Sequence, residues 1–110
     1  MIFQILNDLQ YGQLHLALDR ETGLRAIVAL HSTRLGPAIG GTRVYSYVDE
    51  TAAVTDACRL ARAMGYKAAL ARLPHGGGKA VIWGTEAMRQ PGFDRAALFT
   101  AFARFVESLN

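Results

Sequence analysis

The stretch LPHGGGKAVIWG, Leu73–Gly84, sets three consecutive glycines and a lysine against a short apolar run. Three glycines in a row cost conformational entropy on folding. They mark a place where the backbone takes positive φ or comes very close to a ligand. Lys79, directly after them, is delivered into that zone. Ala80–Trp83 (AVIW) reads as a short buried strand, and the glycine run as the loop that feeds it. A phosphate-binding loop would need a glycine five residues before Gly78 and Ser or Thr after Lys79; Leu73 and Ala80 stand there instead. A Gly-x-Gly-x-x-Gly turn is absent as well. What stays open is a ligand-facing lysine or an ordinary flexible loop.

Twelve residues upstream lies Lys67, after Gly65 and Tyr66 and before Ala68-Ala69-Leu70-Ala71. Residues 66–72 are expected to form a short strand, with Lys67 either snorkelling at its end or facing a cleft. Before it, Asp49 is placed to cap a helix with Glu50 in its first turn, and Ala53, Ala57, Leu60, Ala61 and Met64 share one face. Gly65 fits the C′ position of that helix. A second glycine doublet, Gly40-Gly41, ends a loop-like stretch from Ser32, and Thr42–Tyr47 is β-prone. Leu14, Leu16 and Leu18 alternate as a strand, Asp19–Gly23 is a turn, and residues 24–31 (LRAIVALH) form a second strand, so the pair reads as a hairpin. Ile2, Ile5, Leu6 and Leu9 have helical spacing, broken at Tyr11-Gly12. Gly84–Gly92 is a connector. Asp94 caps a last helix with an apolar stripe of Leu98, Phe102, Phe105, Val106 and Leu109. Helices mixed with strands predict an α/β domain of three layers, a mixed β-sheet flanked by helices.

Length and composition bound the rest. The chain has 110 residues and 12.0 kDa, which suits one domain. Apolar types make up 51% and charged types 19%, too apolar a balance for intrinsic disorder. No apolar run is long enough for a membrane span, and the N-terminus lacks the basic region of a signal peptide. One cysteine, Cys58, gives no internal disulfide and no metal-ligand spacing, and a reducing, cytoplasmic setting is expected. The net charge is +3, yet the basic residues are scattered and no aromatic residues interleave with them, so neither nucleic acid nor membrane is an expected partner. Of the 12 basic residues only Lys67 and Lys79 are lysines. Arginine stays protonated, whereas lysine can release a proton when desolvated, so the two lysines call for a separate reason.

Three segments together supply one. LGPAIGGTR (Leu35–Arg43), RLARAMGYKAA (Arg59–Ala69) and LPHGGGKAVIWG resemble the dehydrogenases of glutamate, leucine, phenylalanine and valine, most closely the leucine, valine and phenylalanine branch. The resemblance runs in order over nearly the whole chain; Glu86 departs from it where Pro or Leu is usual. It implies that Lys79 is the catalytic lysine, which activates water and stabilises charge as an imino acid becomes a carbinolamine. It implies that Lys67 holds the substrate α-carboxylate, that Gly40 and Gly41 line the substrate with backbone, and that Ile39 and Met64 flank its side chain. The implied partners are an apolar amino acid or its 2-oxo acid and further copies of the chain. The implied cofactor is NAD, bound by a Rossmann domain that residues 1–110 do not contain. Residues 1–110 are then the substrate-binding and dimerisation domain, inactive when isolated. A stand-alone oligomerisation or amino-acid-sensing module is the alternative. Self-association is expected, with strand 24–31 as the exposed edge.

Overall fold

The computed structural model describes residues 2–9, 12–32 and 36–109, with the side chain of Ile39 outside that description. Tyr11 and Leu35 lie outside the described residues too. In chain order the elements are α1 (Ile2–Asp8), β1 (Gln13–Asp19), β2 (Leu24–Ser32), β3 (Ala38–Ile39), β4 (Thr42–Tyr45), α2 (Glu50–Leu70), β5 (Gly76–Trp83), a 3₁₀ turn (Glu86–Arg89) and α3 (Arg95–Ser108).

The expected hairpin forms. β1 and β2 pair antiparallel from Gln13↔Leu30 to Asp19↔Leu24. Asp19 closes the turn: its carboxylate accepts from the Glu21 amide and the Thr22 hydroxyl, its carbonyl accepts from Gly23, and Gly23 takes φ +79. β5 pairs antiparallel with the other side of β2, so β2 is an inner strand. The edge expected at 24–31 is therefore β1 instead. Along the far side of β5, β3 and β4 both run parallel to it, one after the other, with Gly40-Gly41 as the joint between them. The sheet is mixed, as expected.

Alternation along β5 assigns the layers. Val81, Ile27 and Ala29 face α2, where Ala53, Val54, Ala57, Cys58 and Ala61 complete one core, with Ile5 and Leu6 of α1 and Leu9 just after it packed on it. Ile82, Ala26 and Leu24 face the other way, onto Leu98 of α3 and Met88. Burying a side chain the size of Leu98 or Ile82 contributes roughly 1.5–3 kcal/mol, so two such faces suffice for three layers. Asp49 and Asp94 cap α2 and α3 as read from the sequence, accepting from Ala52 at 2.8 Å and Ala97 at 2.9 Å.

The readings around the glycines need correction. Gly65 does not end its helix: α2 continues to Leu70 and takes up most of the strand expected at 66–72. The helix stops in a Schellman turn, with the Arg72 amide donating to Ala69 and the Leu73 amide to Ala68. Arg72, at φ 58, occupies the left-handed position where glycine is usual. The glycine run is not a loop but the first half of β5, buried on both sides. Gly76, Gly77 and Gly78 have no positive φ; close approach is their reason. A Cβ on Gly77 would lie 2.2 Å from the Ala61 carbonyl oxygen and 2.3 Å from the Gly65 nitrogen. Backbone thus packs on backbone where α2 crosses β5, and this contact carries the helix through Gly65. Part of the stretch read as loop from Ser32 to Gly41 pairs as β3, and the 84–92 connector holds the 3₁₀ turn.

Candidate active site

The site grows from that crossing. Odd-numbered residues of β5 point to the α2 layer, so Lys79 leaves the sheet on the same face as Gly77 and Val81. It lies two residues, about 7 Å, along the strand from the Gly65–Gly77 contact. Met64 and Lys67 flank Gly65 on α2, three residues apart and hence on one flank of the helix. Lys79, Met64 and Lys67 thus all belong to the layer on the α2 side of the sheet. Lys67 stands in the last turn of α2, exposed, rather than at a strand end.

The glycine doublet meets Lys79 from the other side. Since Ile39 pairs with Gly77 and Thr42 with Ala80, Gly40 and Gly41 stand opposite Gly78 and Lys79. A Cβ on Gly40 would sit 1.6 Å from the Gly78 carbonyl oxygen, and one on Gly41 would sit 3.2 Å from Lys79 Nζ. The joint is thus pressed onto β5 with the lysine ammonium over Gly41. The Ala80 amide donates to the Gly41 carbonyl at 3.1 Å and fixes the register. On the α3 side, an open cleft of about 470 Å³ follows the same joint, lined by Leu30, Gly40, Gly41, Lys79, Phe102 and Val106 among others.

Among the described residues neither the Lys67 nor the Lys79 side chain has an ion-pair or hydrogen-bond partner. The sequence makes this legible: no acidic residue stands between Asp56 and Glu86, a span that holds both lysines. Glu107 also lines the cleft beside Lys79; an ammonium with no ion pair among the described residues suits an anionic group. Among the described residues no cluster of His, Cys, Asp and Glu could hold a metal ion.

Two groups that the sequence did not single out support the site. His31, at the end of β2, packs edge-on against Tyr66 at 6.0 Å, below Gly65. Burial lowers its pKa from 6.5, a hydrogen bond with the Leu9 backbone opposes this, and the Arg62 charge adds to it, so the ring is neutral at pH 7. The second group ties the end of β4 to α2. The Tyr47 hydroxyl donates to Asp56 at 2.5 Å, Arg43 stands 3.6 Å from the same carboxylate and 4.4 Å from the Tyr45 ring, and Trp83 Nε1 donates to the Tyr47 carbonyl at 3.0 Å. Burial first, then the Asp56 carboxylate, pushes the Tyr47 pKa up, so this hydroxyl remains a donor. An acid in mid-helix, Asp56, was the available signal.

The dimerisation domain of Glu/Leu/Phe/Val dehydrogenases matches residues 10–110. The chain belongs to that family. It is 54% identical over 100 residues to valine dehydrogenase of Streptomyces coelicolor, covering 91% of this chain and 26% of that protein. Against leucine dehydrogenase of Bacillus subtilis it is 46% identical over 110 residues, covering 99% and 29%. The solved structure of L-tryptophan dehydrogenase from Nostoc punctiforme superposes with a TM-score of 0.91 at 41% identity, over 100% of this chain and 32% of that one. The chain therefore spans little more than a quarter of the curated relatives' length. Among its described residues no helix is long and apolar enough to cross a membrane.

Proposed function

We propose that residues 1–110 are the substrate-binding and dimerisation part of an NAD-dependent dehydrogenase, which oxidatively deaminates an apolar L-amino acid to its 2-oxo acid and ammonia. One observation carries the reading: the Lys79 ammonium lies over Gly41 and, among the described residues, has no ion-pair partner. Lys67 holds the α-carboxylate. Gly40 and Gly41 present backbone where a side chain would collide, and Met64 bounds the apolar side chain. Lys79 activates the water that adds to the imino carbon and accepts the proton released as the carbinolamine forms. Loss of ammonia then leaves the 2-oxo acid. Lysine suits this role because arginine cannot release a proton.

The nicotinamide cofactor has no seat among these residues. They contain no dinucleotide turn, and Gly76–Gly78 pack on the chain's own backbone instead of lying open to a pyrophosphate. By itself the chain binds the acid and does not turn it over. A cytoplasmic setting suits the single cysteine, Cys58, which is buried, its pKa pushed up to about 11 by desolvation.

Titration of the ¹⁵N-labelled chain with 4-methyl-2-oxopentanoate, followed by amide NMR, tests the reading. Saturable shifts are expected at Gly40, Gly41, Lys67 and Lys79, and none with NAD at millimolar concentration. Saturable NAD binding, or oxo-acid shifts confined to other residues, would overturn it.

A further inference from the structure

Strand β4 is short, and Thr42, Arg43, Val44 and Tyr45 are all exposed, so burial holds it weakly. It runs along the far side of β5 and, among the described residues, pairs with no other strand. Yet it continues directly from Gly41, whose carbonyl accepts from the Ala80 amide and over which the Lys79 ammonium lies. Where β4 moves, the glycine joint moves with it. Arg43 pairs with Val81 and Tyr45 with Trp83, so both side chains rise on the α2 face, the face of Lys79. There they close a ring of contacts with Asp56 of α2. The Arg43 guanidinium lies 4.4 Å from the centre of the Tyr45 ring, and the Tyr45 and Tyr47 rings meet edge-on at 5.1 Å. The Tyr47 hydroxyl donates to Asp56 Oδ2 at 2.5 Å, and Arg43 Nε stands 3.6 Å from the same oxygen. Asp56 is the one member of the ring that α2 supplies.

We infer that Asp56 is a positioning residue: through Arg43 and Tyr47 it fastens β4 to α2, and so holds Gly40 and Gly41 in place against Lys79, Lys67 and Met64. The substrate site has three walls, of which β5 carries Lys79, α2 carries Lys67 and Met64, and the joint carries Gly40 and Gly41. The ladder ties β4 to β5 alone, and the Asp56 contacts add the tie to α2. Tyr47 is buried, and its carbonyl accepts from Trp83 Nε1 at 3.0 Å, so the ring that meets Asp56 is itself held to β5. A hydrogen bond from a buried hydroxyl to a carboxylate is among the stronger kinds, which suits a fastening. Met64 lies eight residues further along α2, about 12 Å, so Asp56 acts through β4 and not on the ligand. A shift of about 1 Å in a binding element is enough to cost up to a hundredfold in function. The effect on binding rests on the substrate reading proposed above; the anchoring of β4 rests on these contacts alone.

Amide hydrogen exchange and titration with 4-methyl-2-oxopentanoate, both on the ¹⁵N-labelled chain, test it together. Asp56→Ala removes the shared acceptor. The Ala80 amide, which donates to Gly41, and the Gly84 amide, which donates to Tyr45, then exchange about tenfold faster or more, while amides of the β1–β2 hairpin keep their wild-type rates. Affinity for the oxo acid falls about tenfold or more. Tyr47→Phe removes one arm of the ring, leaves α2 untouched and gives the same pattern more weakly. Asp56→Glu keeps the carboxylate and restores most of the protection and most of the affinity. Wild-type exchange at Ala80 and Gly84 in both Asp56→Ala and Tyr47→Phe overturns the anchoring, as does faster exchange spread evenly over the hairpin or no rescue by glutamate. Lost protection with wild-type affinity overturns the positioning role. A wild-type chain that never binds the oxo acid refutes the substrate reading and with it the effect on binding, while the exchange rates still decide the anchoring.

Discussion

Replacing Gly77 by alanine tests the packing on which the site is built. The new Cβ would lie 2.2 Å from the Ala61 carbonyl oxygen, 2.3 Å from the Gly65 nitrogen and 2.6 Å from the Gly65 Cα. All three are backbone atoms and cannot turn aside. Carbon contacts are optimal near 3.5–4.0 Å, so α2 and β5 must part by about 1 Å, which forfeits roughly a quarter to a half of the dispersion contact along the seam. Overpacking of this kind costs roughly 1–3 kcal/mol or more. Alanine returns about 0.4–1 kcal/mol by restricting the unfolded chain. The net loss is about 1–2 kcal/mol out of a typical 5–15, or about 10 °C in Tm. Urea titration followed by circular dichroism, with the slope held to the wild-type value, reads it directly. Gly84→Ala is the control, since its Cβ meets only the Ser46 hydroxyl at 3.3 Å among close neighbours, and it should stay within about 0.5 kcal/mol. A Gly77→Ala protein as stable as the control would refute backbone contact as the reason for the glycine run.

Asp49→Ala removes the acceptor 2.8 Å from the Ala52 amide and should cost about 1 kcal/mol, seen as a melt lowered by several degrees. His31 has a folded-state pKa below its unfolded one, so the unfolded chain binds the extra proton; its contribution is complete above pH 6.5 and is lost as pH falls through the folded value. His31→Gln should therefore flatten the fall of Tm with acid below pH 6.5, and an unchanged slope would count against a buried neutral ring. Lys67→Ala removes a charge-assisted contact worth roughly 1.5–3 kcal/mol and should weaken 2-oxo acid binding about ten- to a hundredfold by NMR titration, with no change of fold.

Much of this architecture can be read from local pattern. The β1–β2 hairpin, the caps at Asp49 and Asp94 and the apolar stripe of α3 follow from alternation, turn chemistry and helical spacing, and each forms where the sequence puts it. The glycines are where local reading fails. Gly65 looks like a helix end because glycine is a poor helix former, yet it is kept inside α2 by contact with Gly77, twelve residues away. Gly76–Gly78 look like a loop because glycine is rare in strands, yet their missing side chains are what let α2 on one side and the Gly40 joint on another reach the backbone. Both errors have one cause: the reason for a glycine lies in a partner distant in sequence. Of the candidate site, the two lysines were visible from their rarity among arginines. Lys67 comes to lie on α2 only because the helix runs past Gly65. His31 and the Tyr47–Asp56 pair carry no local motif, since their meaning arises only where β2 and β4 meet α2.

The proton chemistry assigned to Lys79 is tested in a full-length chimeric enzyme. Residues 1–110 are joined to the remaining part of Bacillus subtilis leucine dehydrogenase in place of its matching segment. NADH formation from L-leucine and L-valine is then followed with Lys79 and with Lys79→Arg. The lysine chimera should turn over, and the arginine form should lose turnover by about a thousandfold or more, because the charge is kept but the proton cannot be released. Near-normal turnover with Lys79→Arg, or a folded lysine chimera that never produces NADH, would contradict it.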